Sequence, residues 1–313
     1  MRPLLALKVD VDTWRGTVDG VPNLVRILAA HGARATFLFS LGPDHTGWAL
    51  RRALRPGFAR KVARTSVLRH YGLATLLYGT LLPAPDIGLR GAGHMRAAAR
   101  AGFECGVHAW DHVQWQDRVR TRDGDWTVRM MRQAWRRFAD VFDEAPATHG
   151  AAGWQMNRHA FDEHEAVGLP YASDARARLR ADGALFDPAC GACRLPGTRC
   201  IQLPTTLPTL DELLGRSIGG KTLREPDLAP HLLALTAGAG RDHLFTLHAE
   251  LEGGALAPIF EQLLSGWKAQ GYQLACLADY YEKVKYDPLP ECPASWGAVP
   301  GRSGELIVLE TTP

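Results

Sequence analysis

Short apolar runs alternate with amphipathic helical stretches through most of the chain, and this alternation limits the fold more than any other feature. Repeated strand–helix units are typical of a parallel sheet or barrel. Several helical stretches end at a glycine, as at Gly32 and Gly102, which is a common end of a helix. Strands are predicted at residues 4–10, 34–40, 103–108, 148–152, 170–174, 200–204, 244–248 and 272–277. Helices are predicted at residues 21–31, 91–101, 126–142, 158–167, 227–237 and 256–269.

The length agrees with a single α/β barrel. The chain has 313 residues, of which 46% are apolar and 22% charged, so disordered, collagen-like and small disulfide-rich classes are excluded. One barrel can occupy about 250 residues or more. We therefore expect a barrel at residues 1–285, with an insertion at 46–85 that interrupts the alternation after the second strand. A proline-rich C-terminal extension is expected at 286–313.

The N-terminal sequence and the cysteines predict a location. The first residues lead directly into the first predicted strand, so the apolar stretch is too short for a signal peptide. The sequence also lacks the run of about 18 apolar residues that a membrane-spanning helix needs. We expect a cytoplasmic protein with six reduced cysteines. Cys190, Cys193 and Cys200 are an incomplete ligand set for a second metal, and a loop with free thiols is the simpler interpretation.

The positive charge is concentrated in the insertion. The formal net charge is only +3, yet residues 46–85 contain seven basic residues and no acidic one. Residues 73–82 of this segment are mostly apolar. A cationic stretch beside an apolar stretch is typical of contact with a membrane surface, although a helical insertion with a solvated basic face gives the same pattern. No nucleic-acid-binding motif accompanies the basic residues, so a nucleic-acid partner is not expected.

Two carboxylates end the first predicted strand. Asp10 and Asp12 are two positions apart, so they lie on one side of the strand if it continues through both. Carboxylates this close can take different roles, one as a metal ligand and one as a base. The alternative is that Asp12 only begins a turn and Asp10 makes a surface contact.

A pair of histidines follows the third predicted strand. His108 and His112 are one helical turn apart, at a spacing that two metal ligands often share. With 12 histidines in the chain, such a pair also arises by chance. Its position at a strand end beside Asp12 favours a site with two histidines, one aspartate and an open coordination position. That ligand set is typical of catalytic metals rather than of closed structural ones.

Two further polar residues come at strand ends. His248 ends a hydrophobic strand and could protonate a leaving group, and Asp174, at the end of another strand, could orient it. The alternative is a histidine held by hydrogen bonds at the barrel rim. The carboxyl ends of barrel strands carry the active site, and several titratable residues at these ends favour the catalytic interpretation.

The order of these segments along the chain resembles that of the polysaccharide deacetylase (NodB homology) family. The resemblance implies a distorted (β/α)7 barrel that hydrolyses amides with one divalent metal ion, which could be zinc, cobalt, nickel or manganese. The matching segments are Asp10-Val11-Asp12, His108-Ala-Trp-Asp-His112, Ala151-Ala152-Gly153-Trp154, Ser173-Asp174 and Leu247-His248.

The resemblance also implies roles for individual residues. Asp12, His108 and His112 would hold the metal. Asp10 would be the catalytic base, and His248, paired with Asp174, the catalytic acid.

Two departures from the family pattern affect the first carboxylates. The family's two carboxylates are usually adjacent, whereas Val11 separates them here, which leaves open which of Asp10 and Asp12 is the base. The family also has an arginine in its third motif that this chain lacks. Arg15 is a candidate for the missing cation beside Asp10.

Longer phrases around these motifs are similar to those of a narrower group in the family. Its members remove a formyl group from a formamido-arabinose carried on undecaprenyl phosphate, in a route that modifies lipid A and gives resistance to cationic peptides such as polymyxin. The resemblance implies the same substrate here, met at the cytoplasmic face of the inner membrane. The alternatives are an N-deacetylase of amino-sugar polymers and an inactive barrel that only binds glycolipid. Expected substrate contacts are Arg15, Ala152, Gly153, Trp154 and Glu250.

Overall fold

The computed structural model describes residues 2–49, 73–178, 191–238 and 240–310. A curled sheet of mostly parallel strands forms its centre, in which the first strand (Leu4–Val11) pairs on both sides with parallel strands. The strands run in the order β11-β1-β2-β3-β4-β5-β8-β7, and β12 also pairs with β1. The principal strands are β1 (Leu4–Val11), β2 (Thr36–Ser40), β3 (Glu104–Ala109), β4 (Thr148–His149), β5 (Tyr171–Ala172), β8 (Ile201–Gln202), β11 (His243–His248) and β12 (Gln273–Ala275).

The segment after β8 closes the barrel against β11 through a few hydrogen bonds instead of a long β-ladder. The backbone N–H of Thr206 donates to the carbonyl of Leu244 in β11 at 3.0 Å. The hydroxyls of Thr205 and Thr246 are 2.6 Å apart. Strand β7 (Cys193–Arg194) pairs antiparallel with β8 at the same side of the sheet. Side-chain and backbone bonds thus join the last parallel strand to β11.

Helices cover the outside of this sheet. They are α1 (Val21–Ala30), α2 (Ile87–Arg100), α3 (His112–Arg118), α4 (Gly124–Phe142), α5 (Arg158–Val167), α6 (Leu210–Leu213), α7 (Glu225–Thr236), α8 (Ala257–Ala269) and α9 (Leu277–Val284). Asp86, Asp111 and Asp123 each accept a hydrogen bond from a backbone N–H in the first turn of the helix that follows, as N-cap residues do. None of the helices in the described ranges is long and apolar enough to span a membrane.

Alternation along β1 places one set of side chains inside the barrel. Leu5, Leu7 and Val9 pack against the surrounding helices in the main apolar core. The other face carries Lys8 and Asp10, and both side chains are buried. Because strand side chains alternate between faces, the polar residues of β1 lie together on the interior face.

The C-terminal extension adds a small sheet. Strands β13 (Ala294–Ala298) and β14 (Glu305–Leu309) pair antiparallel, and β14 pairs parallel with β6 (Arg176–Ala177). Strands β9 (Ser217–Ile218) and β10 (Lys221–Thr222) form a separate hairpin. The predicted insertion at 46–85 falls largely on residues 50–72, which lie outside the described residues, and so do all seven of its basic side chains.

Candidate metal centre and active site

The paired ends of β1 and β11 bring two of the predicted residues together. Asp10 and His248 are partners in the parallel ladder between these strands. The backbone N–H of Ala249 donates to the Asp10 carbonyl at 2.9 Å and extends the pairing past His248. Both side chains are more than nine-tenths buried. The barrel therefore holds the proposed base and acid on adjacent strands at its carboxyl end.

Asp12, His108 and His112 form a compatible set of metal ligands. Oδ1 of Asp12 is 3.1 Å from Nε2 of His108, and its Oδ2 is 3.5 Å from Nε2 of His112. One ligand atom from each residue lies within 4.8 Å of the other two. Two ligands of one tetrahedral zinc ion are about 3.3 Å apart when each bond is about 2.05 Å. The three side chains thus have the spacing and the donor types that fit a divalent metal.

The surroundings orient the two imidazoles. Nδ1 of His108 donates to the carbonyl of Gly150 at 2.6 Å, which leaves Nε2 facing Asp12. A hydrogen bond of this kind fixes the tautomer of metal-binding histidines. His112 is the first residue of α3, and the N-cap Asp111 accepts from the backbone of Gln114 at 3.0 Å. Strand β3 and the start of α3 therefore set the directions of both rings.

Electrostatics in this group favour an added positive charge. Burial alone would raise the pKa of Asp12, but His112 and His108 outweigh it and hold this pKa well below its usual value. Burial lowers the pKa of His108, whereas Asp10 and Asp12 raise it to a net value above normal. Among the described residues, no side chain or backbone N–H donates a hydrogen bond to the buried Oδ1 of Asp10 or of Asp12. Unsatisfied carboxylate oxygens of this kind suit a bound cation.

The cation beside Asp10 is Lys8 rather than Arg15. Nζ of Lys8 is 3.5 Å from Oδ2 of Asp10, and neither side chain is more than 4% exposed. Arg15 instead lies at the protein surface, with Nε 3.6 Å from Asp19. The expectation that Arg15 tunes Asp10 is therefore wrong, because the interior face of β1 supplies the charge itself. The expected contact of Arg15 with substrate stays a prediction.

Asp174 does not pair with His248, contrary to the expectation from sequence. Oδ1 of Asp174 accepts from Nδ1 of His149 at 2.6 Å, and Oδ2 accepts from the Gln202 amide at 3.0 Å. Nδ1 of His248 has no hydrogen-bond partner among the described residues. Asp174 follows β5, and β4 and β8 lie on either side of that strand. Their residues His149 and Gln202 occupy both carboxylate oxygens of Asp174, so it does not pair with His248.

Asp174 belongs to a second buried cluster, with His149 and His164. The 2.6 Å between Asp174 and His149 is a hydrogen-bond distance, and it is shorter than the spacing of about 3.3 Å expected for two ligands of one zinc ion. Burial would raise the pKa of Asp174, but His149 and His164 lower it to about 2. Burial lowers the pKa of His164 to about 4. The cluster is thus a hydrogen-bonded aspartate with one neutral imidazole beside it.

Glu250 supports the metal-binding loop from inside. Its Oε1 accepts from the backbone N–H of Asp12 at 3.1 Å and of Thr13 at 2.9 Å, and from the Thr13 hydroxyl at 2.7 Å. Burial and the charge of Asp12 raise the pKa of Glu250 well above normal. The residue is only 4% exposed. The side chain thus fixes the end of β1, and the expected contact of Glu250 with substrate stays a prediction.

The third motif forms a tight turn. Gly153 has a φ of 60°, a conformation that glycine adopts without strain. Ala152 and Trp154 are almost fully buried. The Trp154 ring packs against Arg176 and Arg302, whose guanidinium carbons are 4.8 Å and 4.7 Å from its centre. These two cations cover the Trp154 ring, and the expected contact of Trp154 with substrate stays a prediction.

The cysteines do not form a common site within the described ranges. Cys193 and Cys200 belong to different apolar clusters, and Cys190 lies outside the described residues. Burial raises the pKa of Cys200 well above normal, so this thiol remains protonated. The interpretation of these residues as free thiols stays a prediction.

Three residues that contact predicted site residues were not identified from the sequence. Lys8 shares the alternation of Asp10 and Asp12, and this signal was present in the sequence. His149 carries no comparable signal, because its partner Asp174 lies on another strand. Glu252 accepts from the backbone N–H of His248 at 2.8 Å, and burial raises its pKa to about 8. Its place four residues after His248 was not enough to show this contact.

Comparisons with known proteins agree with the geometry. No family model matches the sequence. A protein of Shewanella sediminis, named a probable 4-deoxy-4-formamido-L-arabinose-phosphoundecaprenol deformylase (ArnD), is 31% identical over 92% of this chain and 89% of that protein. A protein of the same name from Wigglesworthia glossinidia brevipalpis is 27% identical over 92% of this chain and 96% of its own length.

Solved structures share the fold. A Mycobacterium smegmatis protein assigned as a polysaccharide deacetylase has a TM-score of 0.64 at 16% identity, covering 95% of each chain. The allantoinase PuuE has a TM-score of 0.57 at 14% identity, covering 91% of this chain and 92% of its own. These likenesses show that the chain has the polysaccharide deacetylase fold, as the motifs predicted.

The relatives define the family more narrowly. With 31% identity over nearly the whole length, the chain belongs to the family of 4-deoxy-4-formamido-L-arabinose-phosphoundecaprenol deformylases. The family predicted from the sequence is thereby confirmed.

Proposed function

We propose that this protein hydrolyses the formamide of 4-deoxy-4-formamido-L-arabinose on undecaprenyl phosphate, giving the free amine and formate. The observation that carries the proposal is the arrangement around Asp12. Its two oxygens lie 3.1 Å and 3.5 Å from two imidazole nitrogens. Asp10, two residues before Asp12, is the proposed base. Its ladder partner on β11 is His248, the proposed acid.

Asp12, His108 and His112 would hold one divalent metal ion, of which zinc, cobalt, nickel and manganese all suit the donor set. When bound, the ion supplies a Lewis acid that polarises a carbonyl and acidifies water. The geometry favours Asp12 as the ligand, because it faces both imidazoles. Asp10 is the remaining carboxylate, with Lys8 near one oxygen and no hydrogen-bond partner for the other in the part of the chain that the structure describes.

Asp10 and His248 would divide the proton transfers. Oδ1 of Asp10 takes a proton from water as the water attacks the formamide carbon. An amine leaves poorly without a proton, so a ring nitrogen of His248 donates one to the sugar nitrogen as the C–N bond breaks. The backbone N–H groups of Ala152 and Gly153 would stabilise the developing oxyanion. Arg15, half exposed after the metal-binding loop, would contact the substrate phosphate.

The same edge of the barrel would meet the membrane. Leu73, Leu81, Leu82 and Leu89 expose between 39% and 80% of their surface, which is unusual for clustered large apolar side chains. Hydrogen bonds from Asp44 to Pro85 and from Gly47 to Tyr78 join their segment to the loop after β2.

That loop is connected to the proposed site. His45 in the loop contacts Asp111, the residue before His112, at 2.5 Å. Exposed leucines near the site suit a lipid-linked substrate. We place the protein at the cytoplasmic face of the inner membrane on this basis.

A substrate comparison tests the proposal. Purified metal-loaded protein is incubated with formamido-arabinose on a short prenyl phosphate, with the N-acetyl analogue of that lipid, and with soluble chito-oligosaccharides. Formate release from the first substrate, much faster than acetate release from the others, is the expected result. Preferential deacetylation of the oligosaccharides would replace the proposal with a polymer N-deacetylase. Binding of the lipid without hydrolysis at any metal would leave a glycolipid-binding barrel.

A further inference from the structure

Lys8 is a fully buried cation in the middle of β1. Its exposed fraction is 0%, and its Nζ donates to the carbonyl of Ser173 at 3.0 Å. The same atom is 3.5 Å from Oδ2 of Asp10 and 5.2 Å from the centre of the Trp154 ring. A lysine is almost never buried to this degree unless it is paired. These contacts fix its ammonium group against Asp10.

The space that Lys8 occupies is left open by Gly150. A Cβ at position 150 would lie 3.0 Å from Cε and 3.3 Å from Nζ of Lys8, and 2.3 Å from Cδ1 of Leu38. Any larger residue there would therefore displace the lysine or its neighbour. Gly150 directly precedes the turn at residues 151–154. The lysine reaches from β1 toward this segment.

Two buried carboxylates flank the ammonium group. Burial lowers the pKa of Lys8, and the charges of Asp10 and Asp174 oppose that effect. Lys8 and Asp10 are thus two buried groups of opposite charge 3.5 Å apart, in surroundings where either would be unfavourable alone. Arg176, which also lies near Lys8, is already bound to Glu212.

We propose that Lys8 is the positioning residue of the catalytic base. Its ammonium group binds Oδ2 of Asp10 and so leaves Oδ1 directed at the substrate water. The assignment rests on the proposed function, in which Asp10 is the base.

The kinetic test uses Lys8→Met, Lys8→Arg and, as a matched control, Lys283→Met. Lys283 also pairs with an aspartate, Asp242, at 2.7 Å. Asp242 directly precedes β11, so this pair lies at the opposite end of the barrel from Asp10. Lys8→Met should lower kcat for formate release about 100-fold, the scale of a misplaced catalytic group, with KM and bound metal per chain nearly unchanged. Lys8→Arg should recover part of the loss, and Lys283→Met should keep full kcat.

Two kinetic outcomes would overturn the assignment. One is a folded, metal-loaded Lys8→Met protein with wild-type kcat. The other is a loss that appears only in KM or in metal content, since that would give Lys8 a different role.

A stability measurement tests the pair without any substrate. Thermal unfolding is followed for Lys8→Met, Asp10→Asn and the double variant. The double variant should unfold at a higher temperature than Lys8→Met, because Asp10→Asn removes the carboxylate that the lysine compensated. Equal or lower stability of the double variant would refute the pairing. If the wild type releases no formate, the proposed function fails. The coupling between Lys8 and Asp10 is still measured, because thermal unfolding needs no substrate. If Lys8→Met does not fold, its rescue by Asp10→Asn gives the same answer.

Discussion

Asp10 and His248 are ladder partners at the carboxyl ends of β1 and β11, so two adjacent strands fix the distance between the proposed base and acid. Backbone hydrogen bonds hold both residues, and the pairing continues to Ala249. Groups on paired strands vary less in position than groups on loops. The proposed base and acid are therefore held in place before the substrate binds.

Replacing His248 should remove the proton donor and leave the metal centre intact. His248→Ala is expected to lower kcat by a factor of about 10² to 10⁴, the usual contribution of a general acid. His159, an exposed histidine on α5, provides the control, and His159→Ala should behave as wild type. Formate release and metal content per chain are measured together. Full activity in His248→Ala would show that another group protonates the amine.

Replacing Asp12 should release the metal. The Asp12→Ala variant loses the carboxylate that faces both imidazoles, so its metal affinity should fall by more than the 10- to 100-fold typical of an outer-shell change, on the order of 100-fold or greater. Asp19→Ala, which removes a largely exposed carboxylate, should bind metal normally. Competition with a chelating dye gives both affinities. Unchanged affinity in Asp12→Ala would place the ion elsewhere.

Glu250 should matter for stability through its hydrogen bonds rather than its charge. Glu250→Gln keeps an acceptor for the N–H groups of Asp12 and Thr13, so it should stay close to wild type in free energy of unfolding. Glu250→Ala loses three hydrogen bonds and leaves a cavity, at a cost of about 2–4 kcal/mol. Urea unfolding compares the two variants. Equal stability of both would mean that these bonds contribute little.

Glu252 should make the protein less stable as the pH rises. Burial raises the pKa of Glu252 to about 8 from 4.5, so between these values the folded state holds a proton that the unfolded state has lost. Stability attributable to this group is thus present at low pH and is lost as the pH increases toward 8. Melting temperatures of wild type and Glu252→Gln are compared from pH 5 to 8.5. The Gln variant should decline less, and parallel curves would contradict the raised pKa.

The exposed leucines should contribute to membrane binding. Leu81 is 80% exposed, and burying a leucine in an apolar phase gains about 1.5–3 kcal/mol. Leu81→Asp should therefore weaken sedimentation with anionic phospholipid vesicles about tenfold or more, while hydrolysis of a soluble substrate analogue is unchanged. Tyr286→Asp is the control, since Tyr286 is 88% exposed in the C-terminal extension. Equal loss in both variants would argue against a specific surface.

The main strands and the residues at their ends were predictable from sequence because their signals are local. Alternation in β1 and the apolar run of β11 identified both strands, and barrel geometry placed their last residues at one edge. The partner of Asp174 was not predictable, because it depends on which strand lies beside β5. Two-residue strands such as β6 and β9 also escape prediction, since they have no periodicity of their own. The sequence places Lys8 on the same face of β1 as Asp10. Its burial was not predictable, because it depends on the closure of the barrel around that face.

Formate release during metal titration shows whether hydrolysis depends on a metal ion held by Asp12, His108 and His112. Metal-free protein is prepared with a chelator, and formate released from formamido-arabinose on a prenyl phosphate is measured as divalent metal is added. We expect no formate release without metal and full activity at one ion per chain. The Asp12→Ala variant should be inactive at the same metal concentration. Full activity in the chelator-treated protein, or in Asp12→Ala, would contradict a metal-dependent deformylase centred on Asp12, His108 and His112.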